Sequence, residues 1–295
     1  MNIIAIVVTY NGTKWIDKCF GSLVNSSIPV KILAIDNAST DGTPHIIHEK
    51  FPEVEVIETG ENLRFGKANN IGLKRVLDEN ADYAFLLNQD AWVERDTIEK
   101  LIAVQSQNQD FHLLSPIHLN GEGDAIDRNF ENYLGRNYTP GLISDIFLNK
   151  TKPFYEGKYA NAAAWLLTHH CLETIGGFDP LFKHYGEDDD YINRMHFAGL
   201  KLGIVPNAII YHDRPQDGIM GENFYNNLAY TKALLNAKNP IRAKKHFIWR
   251  KIITDYIAYI IAYLGKNKQL KNSIISDIKY LKLVKKVNNN KLQKL

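Results

Sequence analysis

The first ninety residues of this 295-residue chain predict an α/β fold built on a mostly parallel central sheet. Short runs rich in Ile and Val alternate there with segments whose apolar residues recur at helical spacing. The runs are apolar at nearly every position, as expected of strands that helices cover on both faces. The last sixty residues are basic and helical in spacing. We therefore expect an α/β domain over 1–225 and a helical C-terminal extension over 226–295.

The expected elements alternate between strand and helix. Strands are expected at 3–9, 30–35, 54–58 and 83–87, and helices at 14–25, 43–50 and 65–79. The segment NASTDGT before the second helix supplies residues typical of turns and N-caps. Because crossovers between parallel strands are right-handed, the carboxyl ends of these strands share one edge, where such sheets bind their ligands.

The middle of the chain is less regular. Residues 118–158 mix Gly, Asn, Asp and Pro with isolated aromatic residues, which predicts long loops. The following YANAAAWLLTHHCLETIGG predicts a strand and a short helix. A further helix is expected from Glu187 to Gly199, with a strand after it.

The composition is that of an ordinary globular protein. With 45% hydrophobic and 23% charged residues, it argues against a disordered or fibrous chain. Cys19 and Cys171 lack metal-type spacing and suggest a reducing compartment. The opening MNIIAIVVTYNG is apolar for about seven residues without a basic leader, so we interpret it as a buried strand rather than a signal peptide.

Charge is distributed unevenly along the chain. Residues 236–295 carry fifteen Lys or Arg against two acids, whereas the rest of the chain has a net charge of −11. Aromatic and apolar residues in 246–264, bordered by lysines, are typical of a helix at an anionic membrane surface. The alternative is that these helices pack on the first domain or form a homodimer. We expect no nucleic-acid binding, because the body is acidic and no such motif is present.

Polar residues stand where the expected strands end. Asp36 follows the second strand, and Asn88 and Asp90 follow the fourth. Each alone is more often an ordinary turn residue. Together on one edge they could surround a Mg²⁺ or Mn²⁺ ion, because these cations prefer oxygen ligands and take several of them from phosphate and water.

Five segments, in the same order along the chain, resemble motifs of a known protein family. They are IVVTYNG, IDNASTDGT, ENLRFGKANNIGL, LLNQDAWV and IGGFDPLFKHYGEDDDYINRMHFAGLKLGIVPNAIIYH. In this order and spacing the chain resembles inverting glycosyltransferases of family 2 over residues 1–215. NLRFGKANN and NQDA are similar to the bacterial rhamnosyltransferase-like branch. The resemblance implies the GT-A fold and a nucleotide-sugar donor.

The resemblance also implies roles for residues around the nucleotide. The residues it assigns there are Thr9, Tyr10, Asp36, Asn62, Gly66, Asn70 and Asn88. Tyr10 would stack on a pyrimidine base and Asp36 would accept its imide N–H, which selects a dTDP- or UDP-sugar. The ordinary alternative for Tyr10 is packing at a strand end.

The metal site is implied by Asp90 and His212. Asn88-Gln89-Asp90 occupies the position of the family's Asp-X-Asp motif, with asparagine in place of the first aspartate. We assign Asn88 to the ribose or a nearby water and Asp90 to the metal. His212 is a second metal ligand in this hypothesis; otherwise it bonds a backbone carbonyl.

The catalytic base is expected in GEDDDY, where Glu187 and Asp188 match the family's acidic pair. We choose Asp188 as the base and Glu187 as the runner-up or a residue that binds the acceptor. Acids at a helix start also have a purely structural explanation, since the helix dipole attracts them.

These patterns predict a metal-dependent, inverting transferase that moves a sugar, with rhamnose as first choice, to a saccharide or lipid-linked saccharide acceptor in surface polysaccharide synthesis. We expect it in the cytoplasm, peripheral on the inner face of the cytoplasmic membrane. One alternative is a nucleotidyltransferase that forms sugar nucleotides, although the turn TYNGTKW lacks a Gly-rich pyrophosphate loop. Another is a non-catalytic, membrane-docked binding subunit.

Overall fold

The structure, a computed structural model, describes residues 1–182 and 185–215 together with a few positions between 231 and 257. The described residues fall into two compact units. The first holds 1–178 and 198–215, and the second holds 179–182, 185–197 and the positions between 231 and 257. The expected domain boundary at 225 lies outside the described residues and stays a prediction.

The first ninety residues form the predicted alternation. The strands are β1 (Ile3–Thr9), β2 (Lys31–Asp36), β3 (Glu55–Glu58) and β4 (Tyr83–Asn88), and the helices are α1 (Ile16–Val24), α2 (Thr43–Lys50) and α3 (Arg64–Asp78). Parallel pairing joins β1 to β2, β1 to β4 and β2 to β3. The interpretation of this half as a parallel α/β unit is confirmed.

The second half adds shorter elements. They are β5 (Ala91–Val93), α4 (Thr97–Gln107), β6 (Phe111–Asn120), α5 (Arg128–Glu131), α6 (Leu142–Phe147), β7 (Tyr155–Gly157), β8 (Ala164–Thr168), α7 (His169–Ile175), α8 (Glu187–Phe197) and β9 (Lys201–His212). The loops expected over 118–158 are interrupted by α5, α6 and β7, which are too short to show a periodicity in sequence.

One sheet of nine strands joins both halves of the first unit. Its order is β3-β2-β1-β4-β8-β6-β9-β5, with β7 also paired to β9. The sheet is mixed beyond β4, because β8 runs antiparallel to both β4 and β6. Because β8 is antiparallel to both, β6 runs in the same direction as β4. β9 in turn pairs parallel to β6. The carboxyl ends of β1, β2, β4, β6 and β9 therefore face the same edge.

Helix α3 packs closely on β1 and supports the part of the sheet that leads to the carboxyl edge. The strand residues Ile4, Ala5, Ile6 and Val7 are all fully buried. Gly72 of α3 lies over Ile6 so closely that an added Cβ would stand 2.6 Å from a methyl group. Glycine at this position lets the helix approach the strand.

The helix expected over 246–264 lies outside the described residues, except for positions 253 and 257. Over the part of the chain that the structure describes, no helix is both long enough and apolar enough to cross a membrane.

Candidate active site

Thr9 and Asp36 lie side by side at the carboxyl edge, because β1 and β2 pair with these residues opposite each other. The Thr9 hydroxyl donates to Asp36 Oδ1 at 2.8 Å, and Ser39 donates its hydroxyl at 2.6 Å and its backbone N–H at 2.8 Å. Asp36 is buried. A carboxylate has about four acceptor positions. Thr9 and Ser39 fill three of those of Asp36, so about one remains for another donor.

Tyr10 follows Thr9 and presents an exposed ring on a braced backbone. The Gln89 amide accepts from Tyr10 N–H at 2.8 Å and donates to the Tyr10 carbonyl at 3.1 Å. Gly12 makes room for this side chain, since an added Cβ would lie 2.3 Å from Gln89 Oε1. The ring of Tyr10 is 46% exposed. An exposed aromatic face held at a strand end is suited to stacking against a flat ligand.

The start of α3 contributes polar groups of two kinds. Asn62 is exposed, and its side-chain oxygen accepts from the Arg64 N–H at 2.9 Å. Gly66 is buried in the first turn. The Asn70 amide, in contrast, donates to the Phe178 carbonyl at 2.8 Å and accepts from the Phe178 N–H at 2.7 Å. These two bonds join α3 to the chain at Phe178, and the expected place of Asn70 beside the nucleotide stays a prediction.

Asp90 and His212 meet at the ends of β4 and β9. Asn88 ends β4 opposite Val8 of β1, and β5 pairs with β9 so that Ala91 stands opposite His212. Asp90 Oδ1 lies 3.3 Å from His212 Nε2. His212 is buried and Asp90 is partly exposed. The two residues predicted to share a metal are thus neighbours, and His212 faces a carboxylate.

Behind His212 lies a buried carboxylate, Asp127. Its Oδ2 is 3.7 Å from His212 Nδ1, beyond hydrogen-bonding distance, and accepts from Arg214 Nε at 2.7 Å. Arg214 also donates to Oδ1 through Nη2. Burial by itself raises the pKa of Asp127, but the hydrogen bonds and charge of Arg214 lower it to about 2. Asp127 is therefore an ionised group facing the far side of the His212 ring.

The Asp90–His212 pair fits a divalent cation. Ligand atoms at neighbouring octahedral positions, each about 2.1 Å from the metal, stand about 3 Å apart, close to the 3.3 Å seen here. Nδ1 of His212 is buried without a hydrogen-bond partner, and a proton there would face Asp127. Within the described ranges no group of three or more His, Cys, Asp and Glu forms a complete metal site. A cation would therefore need further oxygens from diphosphate and water.

The acidic start of α8 belongs to the second unit. Glu187 is buried with Oε2 lacking a hydrogen-bond partner, and Asp188 is partly exposed. Burial, with the charge of Asp188 next in importance, raises the pKa of Glu187 to about 7. The same two causes raise the pKa of Asp189 to about 7. Burial also raises the pKa of Asp190, which pairs with Arg194 at 2.8 Å. The helix start thus holds carboxyl groups that exchange protons near neutral pH.

Several residues of the edge carried no recognisable signal in sequence. Gln89 is the middle residue of NQD. Asn37 accepts from the Leu63 N–H at 3.1 Å, and this bond joins the turn after β2 to the start of α3. Asp127 and Arg214 are 87 positions apart. A charged pair at such a separation becomes visible only when the chain is folded.

Comparison with known proteins decides the family. The sequence model of Glycosyl transferase family 2 matches residues 4–162, more than half of the chain. The chain belongs to this family. It is therefore a glycosyltransferase, and the recognised resemblance is confirmed.

Two relatives are rhamnosyltransferases by name. The N-acetylglucosaminyl-diphospho-decaprenol L-rhamnosyltransferase of Mycobacterium tuberculosis is 25% identical over 238 residues, which cover 71% of this chain and 75% of the relative. The dTDP-rhamnosyl transferase RfbF of Shigella flexneri is 23% identical over 221 residues, or 72% of this chain and 69% of the relative. The rhamnosyltransferase-like character of this family 2 chain is thereby supported.

Similarity to solved structures confirms the GT-A fold. The mannosyltransferase PcManGT of Pyrobaculum calidifontis, in complex with GDP-Man and Mn²⁺, superposes with a TM-score of 0.57 at 17% identity. The superposition covers 99% of this chain and 88% of that protein.

Proposed function

We propose that this family 2 enzyme is a metal-dependent, inverting transferase that uses a dTDP- or UDP-sugar to extend a saccharide in surface polysaccharide synthesis. Rhamnose is the proposed sugar, because two relatives are named for its transfer. The observation that carries the proposal is the Asp90–His212 pair, 3.3 Å apart at the edge that also bears Tyr10 and Asp36.

Recognition of the base rests on Tyr10 and Asp36. The exposed Tyr10 ring offers a stacking face, and the remaining acceptor position of Asp36 suits the imide N–H of uracil or thymine. A purine base lacks that arrangement of donor and acceptors. Asn62 just before α3, Gly66 and Asn70 within α3, and Asn88 at the end of β4 complete the proposed nucleotide site.

Asp90 and His212 would hold Mg²⁺ or Mn²⁺ together with the donor diphosphate. When bound, the cation neutralises negative charge on the departing nucleoside diphosphate. Asp127 faces the other side of the His212 ring and favours the orientation in which Nε2 points toward Asp90.

A carboxylate at the start of α8 is the proposed base, with Asp188 as first choice and Glu187 as second. The base takes the proton of the acceptor hydroxyl while the oxygen attacks the anomeric carbon. The bond from that carbon to the diphosphate oxygen breaks, and its electron pair leaves with the nucleoside diphosphate. Attack from the face opposite the leaving group inverts the anomeric configuration.

The proposed acceptor is a lipid-linked saccharide, and the enzyme is proposed to work at the inner face of the cytoplasmic membrane. The decaprenol in the name of the Mycobacterium tuberculosis relative supports this. Contact of the basic tail with anionic lipid, and its alternative as a dimer interface, concern residues outside the described part of the chain.

A donor and acceptor assay tests the proposal. Transfer from dTDP-rhamnose, UDP-N-acetylglucosamine and GDP-mannose is compared with and without Mn²⁺. Asp188→Asn should lower kcat about 10²- to 10⁴-fold with donor affinity unchanged, whereas Asp17→Asn on the exposed face of α1 should not. If only Glu187→Gln has this effect, the base is Glu187.

Other outcomes contradict the proposal directly. Preference for GDP-mannose would overturn the role of Asp36. Donor binding without transfer to any acceptor would favour a non-catalytic binding subunit. Formation of a sugar nucleotide from a sugar phosphate would favour a nucleotidyltransferase.

A further inference from the structure

Helix α6 has its apolar face turned toward solvent. Ile143, Ile146 and Phe147 are spaced three and four residues apart and therefore share one side of the helix. All three are exposed, Phe147 by 84%. Leu142 and Asp145, on the other side, are buried. A helix at the surface of a soluble protein normally has the reverse arrangement.

The buried side of α6 is held in place. The Tyr155 hydroxyl donates to Asp145 Oδ2 at 3.0 Å, and the backbone N–H of Lys150 donates to the Asp145 carbonyl at 2.9 Å. Lys150 Nζ and Lys152 Nζ lie 3.6 and 3.8 Å from the Asp145 carboxylate. Turning the helix over would bury apolar residues but break these contacts, so the outward direction of Phe147 is set by the fold.

The segment 141–153 carries a net positive charge, from two lysines and one acid. Lys150 and Lys152 follow the helix and their side chains are exposed. Asp145, the acid within 141–153, points inward. Leu148, directly after the helix, is exposed as well. Apolar side chains beside exposed lysines complement the interface of an anionic bilayer, where acyl chains and negative headgroups lie close together.

We propose that the outer face of α6 (Ile143, Ile146 and Phe147), with Leu148 directly after it, docks this enzyme on an anionic membrane surface. The inference rests on the proposed function, because a lipid-linked acceptor has to be reached at the bilayer. It concerns a surface distinct from the tail. The connection from β6 to β7 that bears α6 also bears Asp127, which faces His212.

A site-specific probe tests this surface in the full chain. Both native cysteines are buried, so a bimane label can be directed to Phe147→Cys. Its emission should shift to the blue when phosphatidylcholine vesicles containing phosphatidylglycerol are added, and less with phosphatidylcholine alone. Phe197→Cys, another exposed phenylalanine, carries the label in the control and should show no shift.

A binding measurement makes the result quantitative. The double variant Ile146→Ser and Phe147→Ser should lower vesicle binding in a flotation assay about tenfold or more, because two apolar side chains no longer enter the interface. Phe197→Ser is the matched control. Circular dichroism and the affinity for UDP, measured without lipid, should match the unmodified protein.

Three outcomes overturn the inference. One is unchanged vesicle binding by the double variant, which would leave the tail as the membrane contact. The second is a bimane shift that appears without lipid as protein concentration rises, which would make α6 a contact between copies. The third is absence of any shift while donor binding and transfer are intact, which contradicts docking but not the proposed function.

Absence of donor binding and transfer, with the shift present, contradicts the proposed function alone.

Discussion

At the residue scale, Gln89 shows how a position of no apparent importance organises the site. It lies between Asn88 and Asp90, yet its amide bonds both backbone groups of Tyr10 at 2.8 and 3.1 Å. This pairing extends the contact between β1 and β4 beyond the last ladder pair, Val8 with Asn88. Gln89 thereby connects Tyr10, which is proposed to stack on the base, with the turn that carries Asp90, the proposed metal ligand.

We expect Gln89→Glu to weaken nucleotide binding. The variant loses the N–H that donates to the Tyr10 carbonyl and places a negative oxygen against it. Loss of one such hydrogen bond corresponds to roughly 0.5–1.5 kcal/mol, so the dissociation constant for UDP or dTDP should rise about 3- to 10-fold in calorimetry. Gln107→Glu, at the exposed end of α4, is the control. Unchanged affinity would show that the hydrogen bonds from Gln89 do not position Tyr10.

We also expect Asp127→Asn to weaken metal binding while the chain stays folded. Asparagine keeps an oxygen that can accept from the N–H groups of Asn129 and Phe130, as Asp127 does at 3.1 and 2.9 Å, but it loses the charge behind His212. Substitution behind a metal-ligating histidine typically lowers affinity about 10- to 100-fold. Electron paramagnetic resonance of free Mn²⁺ with UDP present measures this, with the exposed neighbour Asp124→Asn as control. Equal affinities would remove Asp127 from the site.

At the scale of elements, two helical glycines have opposite surroundings. An added Cβ at Gly72 of α3 would meet three atoms of Ile6 at 2.6 to 2.8 Å, whereas at Gly21 of α1 the nearest atom is 4.0 Å away. Close contact between α3 and β1 therefore depends on Gly72, and this contact supports the sheet behind Thr9.

Gly72→Ala and Gly21→Ala should consequently change stability in opposite directions. Overpacking at Gly72 should lower the free energy of unfolding by about 1–3 kcal/mol. Gly21→Ala should raise it by about 0.5–1 kcal/mol, because alanine favours the helix and meets no obstacle. Urea unfolding followed by circular dichroism compares the two. A stabilising Gly72→Ala would mean that α3 can shift away from β1 without loss.

At the scale of the whole molecule, the acidic start of α8 links stability to pH. Folding raises the pKa of Glu187 from 4.5 to about 7, chiefly through burial. A raised pKa means that the folded state binds the proton more tightly than the unfolded state. The stabilisation is fully present below about pH 4.5 and is lost as pH rises through 7. Stability is thus reduced in the range where the proposed carboxylate base would be ionised.

Glu187→Gln should therefore stabilise the protein in alkaline but not in acidic solution. Near pH 8 the variant avoids a buried charge, which corresponds to an increase on the order of 1–3 kcal/mol in the free energy of unfolding. Near pH 5 the two proteins should have similar melting temperatures, because Glu187 is protonated when folded. Thermal unfolding across this range is the measurement, and the exposed Glu49→Gln is the control. A pH-independent difference would contradict the raised pKa.

Sequence patterns predicted most of the first half and part of the site. Every expected element up to residue 88 begins and ends within one residue of its prediction, except that α1 begins two residues later, at Ile16. Long apolar runs and capping residues act locally, and they can therefore be recognised in the sequence. The neighbouring positions of Thr9 and Asp36 followed from parallel pairing. The bond from the Asn70 amide to Phe178, 108 positions away, was not predicted, because such a contact has no signature in sequence.

The sequence by itself determined the α/β class, the shared carboxyl edge and the family, since hydrophobic periodicity and collinear motifs are properties of the chain. The tertiary structure decided which residues from distant parts of the chain are neighbours. It brought Asp90 to His212, placed Asp127 behind that histidine and turned Phe147 outward. These depend on distances between segments far apart in the chain, on burial and on packing, and such quantities exist only once the segments are folded together.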